Sequence, residues 1–441
     1  MTEDGGNLAF ARVRLHETAL ETMTAEHDVD GFGLYDLTVR DGRIVAITPS
    51  VDGSPASSGN DMGGRIVLPA FIDCHTHLDK GHIWPRRPNP DGTFDGALTS
   101  VAEDRAMHWS ADDVEARMEF ALKCAYAHGT KAIRTHLDSA RPQEAISWPV
   151  FEMMRERWAG RISLQGSCLI GIEMVRESDW YETLVARVKA AGGVLGTVTY
   201  MVPDVEALLD RVFEAAIEND LELDFHADET GDTAAVTLRL IAEAAARHKF
   251  ERPILIGHCC ALARQGDDEV RRTLDLVAEA PISVVSLPMC NLYLQDRRPQ
   301  NSSDGGTTPR WRGVTLLHEM AARDINVCVA SDNTRDPFYA YGDLDMLEVY
   351  RMATRTIHFD HPVGDWPKTV LANPARAMTL DGSHGRLRVG DSADFVLFEG
   401  RSWTELLSRP ESHRIVYRNG KPLGAKLPDY SELDHLMEQA K

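Results

Sequence analysis

No stretch of this chain approaches the ~18 consecutive apolar residues of a membrane-spanning helix, which argues against a helical membrane anchor. The opening residues, Met-Thr-Glu-Asp-Gly-Gly, also lack the charged-then-apolar order of a secretory signal. The expectation is a cytoplasmic protein with no membrane partner. Basic residues are in short supply: 47 Lys and Arg stand against 68 Asp and Glu, for a net charge of −21. Nucleic-acid binding needs a basic face that displaces counterions, so no nucleic-acid partner is expected, and the acidic excess reads as a solvated exterior. A disulfide framework is missing too. The seven cysteines, at 74, 124, 168, 259, 260, 290 and 328, are odd in number and scattered through apolar segments, the pattern of reduced core thiols.

The most informative stretch is Leu68-Pro-Ala-Phe-Ile-Asp-Cys-His75-Thr-His77-Leu-Asp-Lys80. In a strand, residues i and i+2 share a face, so both imidazoles can reach one metal ion. Further along, His226 ends the apolar run 221–225, His258 ends the run 253–257, and Asp332 ends the run 325–331. Strand-like segments are expected near 67–73, 131–136, 161–168, 194–201, 221–226, 253–257, 282–287 and 325–331. Between them, stretches such as 111–126 and 205–217 carry apolar residues at helical spacing. Alternating strands and helices imply parallel strands with helical crossovers. The fold class expected is α/β, a (β/α)₈ TIM barrel whose strand ends converge on one catalytic mouth.

At 441 residues the chain exceeds a barrel of about 250 residues. Strand-like segments at 10–15, 35–40 and 43–47, and again within 385–399 and 414–421, predict a small β-sandwich built from both termini. The domain expectation is therefore 1–66 and 379–441 for the sandwich, the latter with a terminal helix, and 67–378 for the barrel.

These residues resemble the amidohydrolase superfamily, and within it the cytosine deaminase branch, which also contains enzymes hydrolysing amino-triazines. The anchors are His75-Thr-His77-Leu-Asp, Ile133-Arg-Thr-His136-Leu-Asp138, His226-Ala-Asp-Glu229, Gly257-His258, Leu287-Pro-Met-Cys-Asn291-Leu-Tyr-Leu-Gln295, Arg312-Gly313 and Ser331-Asp332-Asn-Thr-Arg-Asp336-Pro337. The resemblance implies that His75, His77, His226 and Asp332 hold one divalent metal, Zn²⁺ or Fe²⁺, with room for a water. Binuclear relatives carry a carbamylated lysine at the end of the fourth strand, and residues 196–203 contain no lysine, so a mononuclear site is expected. The His/Cys/Cys deaminase signature of the unrelated zinc fold is absent.

Coordination lowers the pKa of water from about 15.7 towards about 7, making hydroxide available for attack. The resemblance gives Asp332 the departing proton. Glu229 would protonate the ring nitrogen beside the attacked carbon and then the leaving amine, and His258 would steady the tetrahedral intermediate. His136 and Asp138 are expected to brace the ligands from behind.

The pocket departs from cytosine deaminase. Leu169 stands where that family carries a pyrimidine-binding glutamine, Lys80 replaces a threonine, and Asn333 replaces an aspartate. A lysine donor and a lost carboxylate favour a more oxygenated or anionic ring than cytosine, though a salt bridge from Lys80 to Asp79 and plain packing of Leu169 are the simpler alternatives. Phe338, Trp311 and Tyr293 could stack on a flat heterocycle or simply fill core. The Pro-rich segment from His82 to Phe94, with Trp84 beside the substrate, should overhang the metal as a lid.

The expected function is removal of an amino or alkylamino group from a nitrogen heterocycle of the cytosine, isocytosine or aminotriazine type. A hydrolase opening a cyclic amide or ureide is the alternative, and an inactive barrel scaffold the third reading. The partner is a small-molecule heterocycle, and a homo-oligomer is compatible with the sequence.

Overall fold

The apolar runs singled out in the sequence form eight short parallel strands: Phe71–Thr76, Thr130–Asp138, Ser163–Leu169, Leu195–Thr199, Leu223–Ala227, Ile254–His258, Ile282–Ser286 and Asn326–Val329. The computed structural model describes residues 7–50, 60–298 and 306–438. The first three strands pair in sequence order, and so do the last five. Parallel bridges from Ser167 to Val194 and from Gly171 to Val198 join the third strand to the fourth, and one from Thr76 to Asp332 joins the first to the eighth. The circle closes into a (β/α)₈ barrel. Helices Ala111–His128, Glu144–Arg157, Ser178–Ala190, Val205–Asn219, Thr237–His248 and Asp267–Glu279 provide crossovers, and each carries an apolar face that can be buried.

One strand boundary differs from expectation. The segment 67–73 is not one strand but parts of two, Ile66–Pro69 and Phe71–Thr76. Val67 pairs with Leu15 and Leu397, and Leu68 pairs with Val396, so the first piece belongs to the terminal β unit. Both pieces are buried and apolar, and periodicity alone cannot separate abutting buried strands.

The terminal β unit is an eight-stranded sheet. Its main path runs Lys421–Pro422, Arg414–Arg418, Phe395–Phe398, Ile66–Pro69, Asn7–His16, Phe32–Arg40, Arg43–Pro49, and Asn60–Asp61 pairs beside Asn7–His16. Asp41 (φ 50°) and Gly42 (φ 77°) make the tight turn that the Asp-Gly dipeptide announced. Inward residues from both chain ends, among them Phe10, Leu15, Leu37, Val39, Val67, Phe395 and Leu397, share one core. Of the predicted 385–399 segment only Phe395–Phe398 is strand.

The compact units divide the chain differently from 1–66, 67–378 and 379–441. Of the described residues, 125–131 and 345–427 group with the N-terminal strands, while 428–438 group with the barrel residues 73–124, 132–298 and 306–344. The terminal segment does so because Leu433 and Leu436 pack on Phe120 and Cys124 of the helix Ala111–His128. All seven cysteines are buried and free. No helix among the described residues is long and apolar enough to cross a membrane.

Candidate active site

Five of the eight strands deliver polar side chains to the mouth: His75 and His77 from the first, His136 and Asp138 from the second, His226 from the fifth, His258 from the sixth and Asp332 from the eighth. Donor atoms of His75, His77, His136 and His226 all lie within 4.8 Å of one another, as do those of His75, His258 and Asp332. Asp332 Oδ1 lies 3.2 Å from His77 Nε2 and 3.6 Å from His75 Nε2, and His226 Nε2 lies 3.4 Å from His77 Nε2. A tetrahedral ion with bonds of about 2.0–2.1 Å sets its ligands about 3.3–3.4 Å apart, so these spacings suit one ion at the centre.

The chemistry of the donors agrees. Both ring nitrogens of His75 and both carboxylate oxygens of Asp332 are buried with no hydrogen-bond partner among the described residues. Burial, followed by neighbouring imidazoles and Lys80, holds His75, His77 and His226 well below the usual histidine range, leaving neutral rings with free lone pairs. Burial likewise pushes Asp332 up to about 7. Orphaned buried polar atoms carry a real cost, and a divalent ion would satisfy one nitrogen of His75 and the Asp332 carboxylate together.

The backbone is bent to aim these groups. Asp332 (φ 60°) and His258 (φ 70°) sit in the left-handed region, a strained conformation that clusters at functional sites. Asp332 N–H donates to the carbonyl of His75, and Thr76 Oγ1 donates to the carbonyl of Asp332, at 2.9 and 2.8 Å. On the sixth strand a Cβ at Gly257 would stand 2.8 Å from His75 Cε1, so only glycine leaves space for that ring.

Behind the cluster, His136 Nε2 bonds Asp224 Oδ1 at 2.9 Å while its ring lies against that of His75, centroids 4.1 Å apart. Asp224 in turn takes Arg134 at 3.3 Å, and Arg134 also reaches Glu222 at 2.7 Å. His136 thus lies between His75 and the Asp224 carboxylate, while Asp138 stands elsewhere. Asp138 lines the pocket, where Lys80 Nζ lies 3.6 Å from Oδ1 and Arg105 donates to Oδ2 at 2.7 Å. The lysine's partner is thus Asp138 and not Asp79. Burial alone would pull the Lys80 ammonium down, but Asp138, Asp336, Asp79 and Asp332 outweigh it and hold it charged.

Glu229 is aimed by its neighbour Asp228, whose carboxylate accepts from Thr237 N, Thr237 Oγ1 and Leu238 N at 2.7–2.9 Å and so caps the next helix. Burial and the charge of Asp332 raise Glu229 well above the usual carboxylate range. Its Oε1 lies 3.2 Å from Asn291 Nδ2 and 3.3 Å from His258 Nδ1. Asn291 was named in the sequence only as part of an anchor motif. Its role shows only once the seventh strand's end is folded beside Glu229.

The pocket has a volume of about 750 Å³. His77, Lys80, Leu169, His226, Glu229, His258, Asp332, Asn333 and Phe338 all line it. Lys80 Nζ stands 5.0 Å over the Phe338 ring. Asn333 is turned to Asp336, donating at 2.7 Å. Trp84, expected beside the substrate, is not among the lining residues, nor are Trp311 and Tyr293. Trp311 packs under Arg264, and Tyr293 under Arg297. In place of Trp84, the helix Phe94–His108 supplies Phe94, Leu98, Val101 and Arg105. Its base is fastened by Arg86, whose side chain is buried between Asp104 and Asp113 at 2.9 and 2.5 Å.

Comparison with known proteins agrees with this geometry. A model of the Amidohydrolase family matches residues 164–423. The chain is 51% identical over 405 residues to a pterin deaminase of Rhizobium rhizogenes, covering 92% of this chain and 91% of that protein. Among solved structures, 5-methylcytosine deaminase from Klebsiella pneumoniae bound to 5-fluorocytosine superposes with a TM-score of 0.81 at 22% identity over 96% of this chain and 98% of that one. N-isopropylammelide isopropylaminohydrolase from Burkholderia multivorans does so with a TM-score of 0.73 at 24% identity over 95% and 98%. Those two likenesses carry the fold. With the family match over more than half its length and a half-identical relative along nearly all of it, the chain belongs to the amidohydrolase family and is a hydrolase of non-peptide carbon–nitrogen bonds.

Proposed function

We propose that this protein deaminates a fused two-ring heterocycle of the pterin type, converting a 2-amino-4-oxo ring to its 2,4-dioxo form and ammonia. The observation that carries this reading is the 51% identity, along nine-tenths of both chains, with a protein that deaminates pterin. The pocket supports it. Its volume of about 750 Å³ lies within the range of roughly 300–1,000 Å³ for small-molecule sites. Leu169 gives the third strand's end an apolar surface where cytosine would need an amide.

His75, His77, His226 and Asp332 would hold one divalent ion, which when bound would supply a water acidified towards neutrality and a positive charge for the reaction. The chain's own groups do the rest. Glu229, protonated by its buried setting, gives its proton to the ring nitrogen next to the amino-bearing carbon, which makes that carbon electrophilic. Asp332 accepts a proton from the attacking water, whose oxygen forms the new bond. His258 donates to the attacking oxygen as the carbon becomes tetrahedral. Glu229, left as a carboxylate, takes the second proton of the attacking oxygen and delivers it to the amine, the carbon–nitrogen bond breaks and ammonia leaves, and the proton held by Asp332 restores the acid form of Glu229. Lys80, held charged over Phe338, meets the ring oxo group while Phe338 covers the flat face.

The test is ammonia release over a panel of pterin, isocytosine, an aminotriazine, cytosine and a cyclic ureide. Pterin should be turned over best, and cytosine should be disfavoured by roughly 10²-fold, the discrimination an apolar wall reaches against an unmatched polar edge. Lys80→Thr should raise KM for pterin and leave the metal bound, because Asp138 keeps Arg105 as its partner. Cytosine emerging as the best substrate, or ring opening without ammonia, would refute the reading.

A further inference from the structure

We propose that Asn291 is a positioning residue that fixes the tautomer of His258 and the orientation of Glu229, so that both face the substrate in their working states. The proposal rests on the reading that these two groups act on the substrate. The geometry behind it concerns one amide nitrogen. Asn291 Nδ2 lies 3.0 Å from His258 Nδ1 and 3.2 Å from Glu229 Oε1, and an amide nitrogen has two protons to give.

A nitrogen that accepts a hydrogen bond carries no proton, so the ring proton of His258 sits on Nε2. That atom is buried and has no partner among the described residues, and the residue lines the pocket. His258 therefore presents an N–H donor to whatever occupies the pocket. The opposite tautomer would present a lone pair and repel a developing oxyanion. The second proton of Nδ2 goes to one oxygen of Glu229 and leaves Oε2 to carry the acid proton.

The platform under Asn291 is stiff. The seventh strand ends at Ser286, and Pro288 opens the helix Pro288–Leu294 in the position where a proline suits a first turn. Asn291 is fully buried one turn in, its N–H donating to the Leu287 carbonyl at 2.9 Å. Four residues on, Gln295 lies on the same side, and its Nε2 donates to the Glu229 carbonyl at 3.2 Å. One short helix thus holds the acid by its side chain and its backbone.

The experiment compares zinc-loaded wild type with Asn291→Asp and Asn291→Ala. Aspartate keeps the shape but offers only acceptors: it pulls the His258 proton onto Nδ1 and no longer donates to Glu229 Oε1. Alanine removes the partner and lets the tautomers interconvert, so part of the population stays competent. Asn291→Asp should lower kcat about 10²–10⁴-fold, the share of a positioned acid–base group. Asn291→Ala should lower it less, by about 10-fold, the scale of the net contribution of the two hydrogen bonds it removes. KM and zinc content should hold in both. Nitrogen-15 spectra of histidine-labelled protein, with the His258 signals assigned by difference against His258→Gln, should show the Nε2-protonated form in wild type and the Nδ1-protonated form in Asn291→Asp. That measurement needs no substrate, so it stands even if another heterocycle replaces pterin in the assay. An Nδ1-protonated His258 in wild type would overturn the proposal, and so would Asn291→Asp being as active as Asn291→Ala, which is the order a space-filling role predicts.

Discussion

Removing the Asp224 carboxylate should cost the molecule twice, in stability and in metal affinity. Asp224 is fully buried and Arg134 is 1% exposed, so Asp224→Ala leaves a buried guanidinium short of a counter-charge. Deleting one partner of a buried pair costs about 3–5 kcal/mol. Glu222 at 2.7 Å and Gln165 at 3.0 Å remain and moderate the loss. The orphaned Nε2 of His136 adds about 1–3 kcal/mol. The two effects together give an expected destabilisation of about 3–5 kcal/mol. Glu222→Ala, which leaves the Arg134–Asp224 pair intact, should cost about 1 kcal/mol or less. Because His136 packs on His75, its loosening should weaken the metal about 10–100-fold, as loss of a ligand's outer support does. Urea unfolding of metal-loaded protein measures the first quantity, and competition with a chromogenic chelator the second. If Asp224→Ala unfolds within about 1 kcal/mol of wild type, or if Glu222→Ala is the more damaging, the chain of support from Arg134 to the ligands is wrongly drawn.

Metal analysis should find close to one divalent ion per chain, and His226→Ala should lose both ion and activity; two tightly held ions would contradict a single tetrahedral set. Glu229→Gln keeps the shape and removes the acid, so turnover should fall about 10²–10⁴-fold with the metal retained, and activity within a few-fold of wild type would assign the proton transfer elsewhere.

What could be read in the sequence was whatever the strand period controls. His75, His77, His226, His258 and Asp332 each end or closely follow an apolar run, and a parallel barrel gathers such ends at one mouth whatever the loops do. The family resemblance then marked Glu229. What could not be read depends on which side chain meets which across loops. Lys80 follows Asp79 in the chain, yet its ion pair is with Asp138 on the next strand, 3.6 Å away. Trp84 has the composition of a substrate cover, but the chain at that point is tied to the Arg335 carbonyl, and the helix Phe94–His108 takes the wall. The break at Ala70 between two buried strands has no signature in hydrophobicity, because both sides are equally apolar.

Gly257 carries no functional group, yet the site's dimensions depend on it. The ring of His75 occupies the volume where a side chain on the sixth strand would begin, so the strand acts as a spacer cut to the thickness of one imidazole. In a survey of substitutions scored by activity alone, position 257 would rank beside the metal ligands and invite a chemical role it does not have. Scoring fold, metal content and turnover separately would give it its real one. Enlarging this residue moves a ligand that belongs to a different strand, and the first group to lose its place is the one that anchors the opposite side of the mouth.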